Sequence, residues 1–429
     1  MAAHADQRAQ ALLRSACSSD PREARALLAA DAALARHDLA TACASGEAER
    51  VERLLEHGAD ATATTGPLEL APILYACLSR LGRTDAPRAA GIRASVRVLL
   101  DAGADPNAAF FENDWLQVPL YGAAGIANDA ELTRMLIAAG ADPNDAHEPF
   151  EVGEALYHAC EFPDPTCARL LIEAGTAGDV VDYCVGRALN FANHEMVAMF
   201  CAAGAHASAA HLHQAAWRRR PAETVAALLD ARAPADEPGE DGRTPLRVAT
   251  RWGETDTVAL LRERGADPAA ITAEDRAIAS ALAGARVEVP TAPLDAMLDY
   301  AIAPGDLATV TALLDAGANP DGRPGDEHTP LGQASWRGHP EIVRELIGRG
   351  ASLRWPQGTP IGSALDGSRN CQDPEGGPTM RTIEEIPKAR YAAVVEVLLA
   401  AGAGVPERFG DDSVDVATAL ADLGIAAAA

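Results

Sequence analysis

The chain has 429 residues; it is 48% hydrophobic but only 4% aromatic, and 62 acidic against 36 basic residues give a formal net charge of −26. Alanine and leucine supply much of the apolar content, which favours closely packed helices over sheets. A negative charge of this size repels phosphate backbones and anionic lipid surfaces, so we expect neither a nucleic acid nor a membrane as the partner.

The N-terminal segment lacks the basic stretch and continuous apolar run that are typical of a signal peptide. No apolar run in the chain reaches the roughly 18 residues that a membrane-spanning helix needs. Eight cysteines in 429 residues do not suit a disulfide scaffold. These observations lead us to expect a cytoplasmic protein.

In chain order, the first predicted element is a pair of helices on either side of Asp20-Pro21, since proline ends one helix and suits the first turn of the next. We interpret residues 1–35 as a degenerate repeat that caps a larger array.

A repeated string follows this segment. Gly-Ala-Asp, or a near variant, comes after a leucine-rich stretch at Gly58, Gly103, Gly140 and Gly265, with degenerate copies at Gly175, Gly204, Gly317, Gly350 and Gly402. Neighbouring copies are 37 residues apart at positions 103 and 140, and 33 residues apart at positions 317 and 350. A period of this size indicates stacked copies of one small unit that cannot bury its apolar face alone.

Each unit also carries helix start and stop signals. Threonine can cap a helix and proline loses no hydrogen bond at the first helical position, and these two residues stand together at Thr244, Thr329 and Thr359. Left-handed residues that end the first helix are predicted at Gly253, Gly305 and Gly338. Apolar residues three to four apart then give the second helix one buried stripe, as at Val310, Leu313 and Leu314. One unit is therefore helix, tight turn, helix and extended loop.

Residues 239–268, with the sequence GEDGRTPLRVATRWGETDTVALLRERGADP, and residues 328–352 resemble ankyrin repeats. The pattern extends over roughly residues 8–405 and is degenerate in 154–175, 178–204 and 210–234. The histidine usual after Thr-Pro-Leu is mostly absent, and the residues in its place are Tyr121, Arg247, Gly332 and Gly362. The resemblance implies an all-α, ankyrin-type α-solenoid of about ten helix-turn-helix repeats with short β-hairpin-like loops. It also implies a protein partner held along the concave face and the loop tips.

Breaks in the period suggest how the chain is divided. A Gly/Pro-rich stretch interrupts one unit near the C-terminus, and an extra helix-like segment separates two groups of repeats. The predicted segments are an N-terminal cap (1–35), repeats (36–268), an irregular helical insertion (269–293), further repeats (294–405) that contain a loop insertion at 366–388, and a C-terminal cap (406–429). We expect Ser413 to cap the helix of this last segment.

No phosphate-binding loop, nucleophile elbow, zinc-protease or dinucleotide motif occurs in the sequence. We therefore expect a protein that is not an enzyme and holds no metal or cofactor. Cys43, Cys77 and Cys160 recur where alanine is usual, which predicts small core residues rather than zinc ligands. Cys371 lies in the predicted loop and is the cysteine we expect to be most reactive. Two histidines, His211 and His213, are interpreted as packing residues.

The most suggestive residues are aromatic and basic. The two positions before the turn glycine tend to face the groove in ankyrin-like units, and here they hold Trp217-Arg218, Arg251-Trp252 and Trp336-Arg337. Tryptophan and arginine are enriched at binding hot spots, so these six residues are the hypothetical partner-binding set. The alternative is that each tryptophan seals the stack by covering the neighbouring hairpin.

Other interpretations stay open at this point. The basic run Arg218-Arg219-Arg220 either anchors an acidic partner segment or neutralises local charge. The whole chain is either a protein-binding scaffold, a self-assembling structural protein, or a regulator or enzyme with a site in 269–293 or 366–388.

Overall fold

The computed structural model describes residues 2–112, 115–144, 154–322, 329–355, 358–371, 386–409 and 414–426. It divides into two compact units, with residues up to Ala188 forming most of the first and residues from Leu189 onwards most of the second. Among the described residues, helices dominate both units, which confirms the predicted all-α, ankyrin-type solenoid. No described helix is both long enough and apolar enough to cross a bilayer.

The first unit is built from antiparallel helix pairs. Its helices are α1 (Ala2–Ala16), α2 (Arg22–Ala30), α3 (Leu39–Ser45), α4 (Ala48–Glu56), α5 (Pro72–Leu78), α6 (Ala86–Asp101), α7 (Ala130–Ala138), α8 (Glu154–Ala159), α9 (Thr166–Glu173) and α10 (Gly178–Asn190), with short 3₁₀ turns at Ala32–Arg36 and Arg80–Gly82. A hairpin of β1 (Phe110–Glu112) and β2 (Trp115–Gln117) pairs Phe110 with Gln117 in antiparallel register. The pair α1–α2 confirms the two helices predicted around Asp20-Pro21.

Close backbone packing holds these pairs together. At α3 the Asp38 side chain accepts from the Thr41 amide at 2.8 Å, and Gly46 ends the helix in the left-handed conformation with φ of 74°. Gly91 of α6 lies directly against this turn, where a Cβ atom would overlap with the Gly46 carbonyl oxygen. Glycine at position 91 therefore lets the second repeat approach the first at backbone distance.

One element of the first unit departs from the α-helical pattern. Residues Tyr121–Ile126 form a π-helical turn in the place where a repeat's first helix is expected. This turn packs against α5 and α8, and a Cβ atom at Gly122 would overlap with the Cys77 carbonyl oxygen. The wider turn thus fits a crowded site between two neighbouring repeats.

The second unit continues with the same helix pairs. Its helices are α11 (His194–Ala202), α12 (Ala209–Trp217), α13 (Ala222–Asp230), α14 (Pro245–Trp252), α15 (Thr255–Glu263), α16 (Ala273–Leu282), α17 (Thr291–Ile302), α18 (Leu307–Asp315), α19 (Pro330–Trp336), α20 (Pro340–Gly348), α21 (Pro360–Asn370), α22 (Lys388–Ala400) and α23 (Val416–Asp422), with a 3₁₀ turn at Pro268–Ala270. A continuous apolar core runs from Ala216 to Leu423 and includes buried side chains of α14, α17, α19 and α22.

The predicted start and stop signals are confirmed in this unit. The hydroxyls of Thr244, Thr329 and Thr359 accept from backbone amides at the starts of α14, α19 and α21. The predicted turn glycines are left-handed, with φ of 73° at Gly253, 78° at Gly305 and 69° at Gly338. The C-terminal helix differs from the prediction because Asp415 caps α23 through the Thr418 amide, whereas Ser413 lies outside the described residues.

Side chains in the loops connect successive repeats. The Asn107 amide donates to the Gly140 carbonyl at 3.0 Å, and its oxygen accepts from the Asp142 amide at 2.7 Å. In the second unit Asp236 accepts from the Asp267 amide at 2.9 Å, and Asp321 accepts from the Ser352 amide at 2.6 Å. In these loops, a polar side chain at the same place in the repeat therefore bonds to the backbone of the next loop.

The cysteines and histidines that the sequence analysis named can now be placed in the structure. Cys43, Cys77 and Cys160 are buried as predicted, and burial raises the pKa of each thiol. His213 accepts from the Gly239 amide at 2.8 Å, which confirms its packing role. The expectation for Cys371 is wrong. Helix α21 extends through Asn370, so the first residues of the predicted loop 366–388 are helical, and Cys371 is only 3% exposed. Residues 372–385 of that loop lie outside the described residues.

Candidate interaction site

Two of the three predicted tryptophan–arginine pairs meet in the second unit. Trp217 ends α12 and Trp252 ends α14, so both rings lie beside the turns of their repeats. The Trp217 ring stacks on Tyr300 of α17 with a centroid distance of 5.1 Å and an interplanar angle of 20°. It also meets the Trp252 ring edge-on at 6.2 Å. We refer to Trp217, Trp252 and Tyr300 as the aromatic cluster.

The three rings of the aromatic cluster differ in their exposure to solvent. Trp252 is only 7% exposed and packs in the core, whereas Trp217 is half-buried and Tyr300 is 37% exposed. The Trp217 Nε1 donates to Asp241 Oδ2 at 3.1 Å, and Arg243 pairs with the same oxygen at 3.3 Å. The ring of Trp217 is therefore fixed in orientation while part of its surface faces solvent.

The structure corrects the expectation that Arg251 lines an accessible face. Arg251 is 1% exposed, its Nε donates to Asp275 Oδ1 at 2.5 Å, and its Nη2 bonds to Glu274. Both carboxylates belong to α16, the helix inside the irregular segment 269–293. Arg251 therefore joins α14 to α16 and is not available for direct contact with a partner.

Asp275 carries most of this junction. Its carboxylate also accepts from Arg247 Nε at 2.8 Å and from the Thr272 amide at 2.9 Å, which caps α16. Burial alone would raise the pKa of Asp275, but the hydrogen bonds from Arg247, Thr272 and Arg251 lower it to about 2. The extra helix is thus attached to the repeat before it by buried ion pairs.

The third predicted pair has contacts of its own. Trp336 Nε1 donates to Asp366 Oδ2 at 2.8 Å, and the Arg337 guanidinium lies 5.6 Å from the centre of the Trp336 ring. Tyr391 donates its hydroxyl to the Trp336 carbonyl oxygen at 3.1 Å. Trp336 and Arg337 are both half-buried at the end of α19, so they keep some accessible surface.

The three consecutive arginines after Trp217 have different roles. Arg219 reaches two other turns, with Nε 2.8 Å from Glu254 and Nη1 2.7 Å from Asp306. Arg220 donates to the carbonyl oxygens of Leu189 and Asn190, and burial with the neighbouring Arg218 charge lowers its pKa to about 10. These two arginines hold repeats together.

Arg218 is different. It is half-buried, and it forms no ion pair with any residue that the structure describes. Burial lowers the pKa of Arg218 and the nearby Arg337 guanidinium lowers it further, while Tyr300 opposes this effect. Within the basic spot predicted at 218–220, Arg218 is therefore the arginine that no described ion pair engages.

A second aromatic group, in the first unit, was not predicted. Arg187 of α10 lies 4.5 Å from the centre of the Tyr157 ring, and that ring lies 5.7 Å from Tyr183, which is 54% exposed. Buried Glu161 holds Arg187, with a 2.9 Å bond to its Nε. Tyr183 and Arg187 are four residues apart, which places them on the same face of a helix, and this spacing could have indicated the group from the sequence.

The imidazole of His158 is enclosed between two carboxylates beside this group. Its Nε2 lies 3.2 Å from Glu154 and its Nδ1 lies 3.0 Å from Glu161. Burial alone would lower the pKa of His158, but the two carboxylates raise it overall. A protonated His158 would be held by both carboxylates, and its ring meets the Tyr157 ring edge-on at 5.0 Å.

Comparison with known proteins places these repeats in a family. A model of the ankyrin repeat matches residues 241–273, and a model of ankyrin repeats in many copies matches residues 298–347. The human ASB11 ankyrin repeat domain is 20% identical with a TM-score of 0.42, and the alignment covers 54% of this chain and 98% of that one. An ankyrin repeat domain from Acinetobacter baumannii AYE is 25% identical with a TM-score of 0.26, covering 50% and 91%.

The segment 241–273 contains the pair α14–α15, and the segment 298–347 runs from the end of α17 through α18 and α19 into α20. Left-handed residues at the helix ends occur in other described repeats as well, for example at Gly46 and Gly140. The chain therefore contains ankyrin repeats.

Proposed function

We propose that the chain is a non-enzymatic scaffold that binds a protein partner, and that the partner docks on the accessible side of the aromatic cluster. Ankyrin repeats are generally protein–protein interaction modules. The observation that carries the proposal is the stack of Trp217 on Tyr300, which presents two adjoining rings to solvent. Large aromatic side chains at the centre of a contact supply most of the binding energy in many interfaces.

The cluster is organised before a partner arrives. Trp217 is held by its bond to Asp241 and by the edge-on contact with Trp252. Arg219, whose guanidinium lies 5.5 Å from the centre of the Trp252 ring, fixes the turns around it. A rigid surface loses little side-chain entropy on binding, so more of the contact energy appears as affinity.

The contacts of segment 269–293 support a scaffold over a regulator or enzyme with a site there. Glu274 and Asp275 are the acidic residues of α16 that could serve a catalytic or regulatory site, and both form ion pairs with arginines of α14. These two carboxylates therefore attach α16 to α14. Self-assembly stays as the alternative within the same class, because a second copy of the chain is also a protein partner.

The proposal is tested with Trp217→Ala in the full chain. The wild-type protein is used to capture partners from cells of the source organism, and the identified partner is purified for titration calorimetry. We expect Trp217→Ala to weaken binding at least about tenfold, which is about 1.4 kcal/mol, because the substitution removes one of two stacked rings. The matched control is Tyr183→Ala, which removes a more exposed ring from the first unit.

Thermal unfolding of each variant separates binding from packing. A melting temperature within about 2 °C of wild type together with weakened binding supports the proposal. Unchanged affinity of Trp217→Ala, or equal weakening by Tyr183→Ala, would contradict the assigned surface. Sedimentation at several concentrations identifies self-association if the captured partner is the chain itself.

A further inference from the structure

The imidazole of His158, in the first unit, makes more contacts with acceptors than a neutral ring can satisfy. Its Nε2 lies 3.2 Å from Glu154 Oε2 and its Nδ1 lies 3.0 Å from Glu161 Oε1. Ionised carboxylates only accept hydrogen bonds, and a neutral imidazole has one N–H to donate. Both contacts are therefore favourable together when His158 is an imidazolium. We refer to Glu154, His158 and Glu161 as the acid–histidine triad.

The acid–histidine triad is nearly closed off from solvent. The side chains of His158, Glu154 and Glu161 are 11%, 9% and 0% exposed. The Tyr121 ring of the π-helical turn lies 5.4 Å from the imidazole between centroids, and the Tyr157 ring meets it edge-on at 5.0 Å. Because little water reaches this place, solvent does not replace a hydrogen bond that the triad loses.

The two carboxylates of the triad differ in their other partners. Arg187 of α10 donates from Nε to Glu161 Oε1 at 2.9 Å, so Glu161 keeps a counter-charge whatever the state of the imidazole. Among the described contacts, the ion pair of Glu154 is with His158 alone. The proton on His158 therefore balances the charge of Glu154.

Other titratable or charged groups around α8 keep their charge near neutral pH. Arg83 donates to a backbone carbonyl of the π-helical turn. Burial raises the pKa of the Cys160 thiol, raises that of Cys167 in α9 to about 11, and raises that of Tyr157 to about 12. Between about pH 6 and pH 9 these groups do not titrate, so a charge change in this place comes from His158.

We propose that His158 is a proton-operated latch: the imidazolium holds α8 in place through Glu154 and Glu161, and loss of its proton opens the packing of α8 against the π-helical turn. Whichever ring nitrogen then keeps its hydrogen, the other presents a lone pair to a buried carboxylate. The latch lies in the first unit and is independent of the function proposed for the aromatic cluster.

The direction of the pH response follows from the contacts. Burial lowers the pKa of His158, but hydrogen bonds and charge from both carboxylates raise it overall above its ordinary value of 6.5. The stability that the latch contributes is therefore fully present below the ordinary pKa and is lost as the pH rises through the raised one.

Hydrogen exchange of the full chain from about pH 6 to pH 9 tests the latch, with rates divided by those of unfolded peptides so that base catalysis cancels. We expect the protection of α8 to fall about tenfold or more over this range, because a repulsive contact replaces a charge-assisted hydrogen bond. Helix α4 of the same unit should keep its protection. NMR of ring-¹⁵N-labelled histidine should show both nitrogens of His158 protonated at about pH 6 and a titration above the ordinary range.

Three variants make the test specific. His158→Gln should lower the protection of α8 at pH 6 and remove its pH dependence. Glu154→Gln keeps the imidazole but removes one carboxylate, so it should shift both the His158 titration and the loss of protection to lower pH. The matched control is His57→Gln, which removes an exposed histidine of the same unit and should leave the response of α8 unchanged.

Each readout can overturn the latch. Constant protection of α8 across the pH range, or a His158 titration at or below the ordinary value, contradicts it. A pH response that survives in His158→Gln assigns the opening to another group. If that variant does not fold, an unshifted response in Glu154→Gln leads to the same conclusion.

Discussion

Replacing Asp275 with alanine should strongly destabilise the second unit. The carboxylate accepts from Arg251 at 2.5 Å, from Arg247 at 2.8 Å and from the Thr272 amide at 2.9 Å, and it is fully buried. Its removal leaves the guanidinium of Arg251, which is 1% exposed, without its main counter-charge. Loss of one partner of a buried ion pair costs about 3–5 kcal/mol, and loss of a helix cap adds about 1 kcal/mol.

The assay is urea unfolding followed by circular dichroism, combined with hydrogen exchange because repeat arrays often unfold in parts. We expect the amides of α14 and α16 to lose the most protection. Asp256→Ala is the matched control, since Asp256 is exposed at the start of the adjacent helix α15. The reasoning is refuted if Asp275→Ala lowers the free energy of unfolding by no more than the control does.

The pH dependence of the same group provides a second readout. The folded pKa of Asp275 is about 2 against an ordinary value of 3.8, so the folded state favours the ionised carboxylate. The associated stability, about 2 kcal/mol, is present above the unfolded pKa and is lost as the pH falls from about 4 to 2. Asp275→Asn should remove this part of the acid dependence, and an unchanged acid profile would contradict the assignment.

The remaining predictions concern glycine and the proposed surface. Gly367→Ala should lower the free energy of unfolding by several kcal/mol, because the added Cβ would overlap with the Trp336 carbonyl oxygen. Gly348→Ala, at an open helical position, should raise the free energy of unfolding by about 0.5–1 kcal/mol. Thermal melts in which both variants shift the melting temperature in the same direction would contradict the packing described. Trp217→Ala should lower affinity for the partner without a large loss of melting temperature, as titration calorimetry and thermal melts would show.

Local signals made the repeat unit predictable. Thr244 and Pro245 start a helix and Gly253 ends it for reasons that involve only neighbouring residues, so the sequence pattern is enough. The repeat period alone also predicts that Cys43, Cys77 and the apolar stripe of Val310, Leu313 and Leu314 are buried. Recurrence along the chain reinforces each of these signals, because like positions in stacked repeats have like surroundings.

Other features depend on contacts between distant parts of the chain. The stack of Trp217 on Tyr300 joins helices on either side of segment 269–293, so the spacing of neighbouring repeats in the sequence does not indicate it. The burial of Arg251 was missed for the same reason, since its partner Asp275 lies inside that segment. Cys371 was misplaced because the Gly/Pro-rich composition of 366–388 suggested a loop from its first residue, whereas α21 continues through Asn370 and Gly367 lies against the Trp336 carbonyl.

Hydrogen exchange of the full chain with and without its identified partner tests the central claim most directly. The account predicts that binding slows exchange at the ends of α12 and α17, around Trp217 and Tyr300. Protection confined to α10 around Tyr183, or to the second helices of the repeats, would place the partner elsewhere and contradict the account.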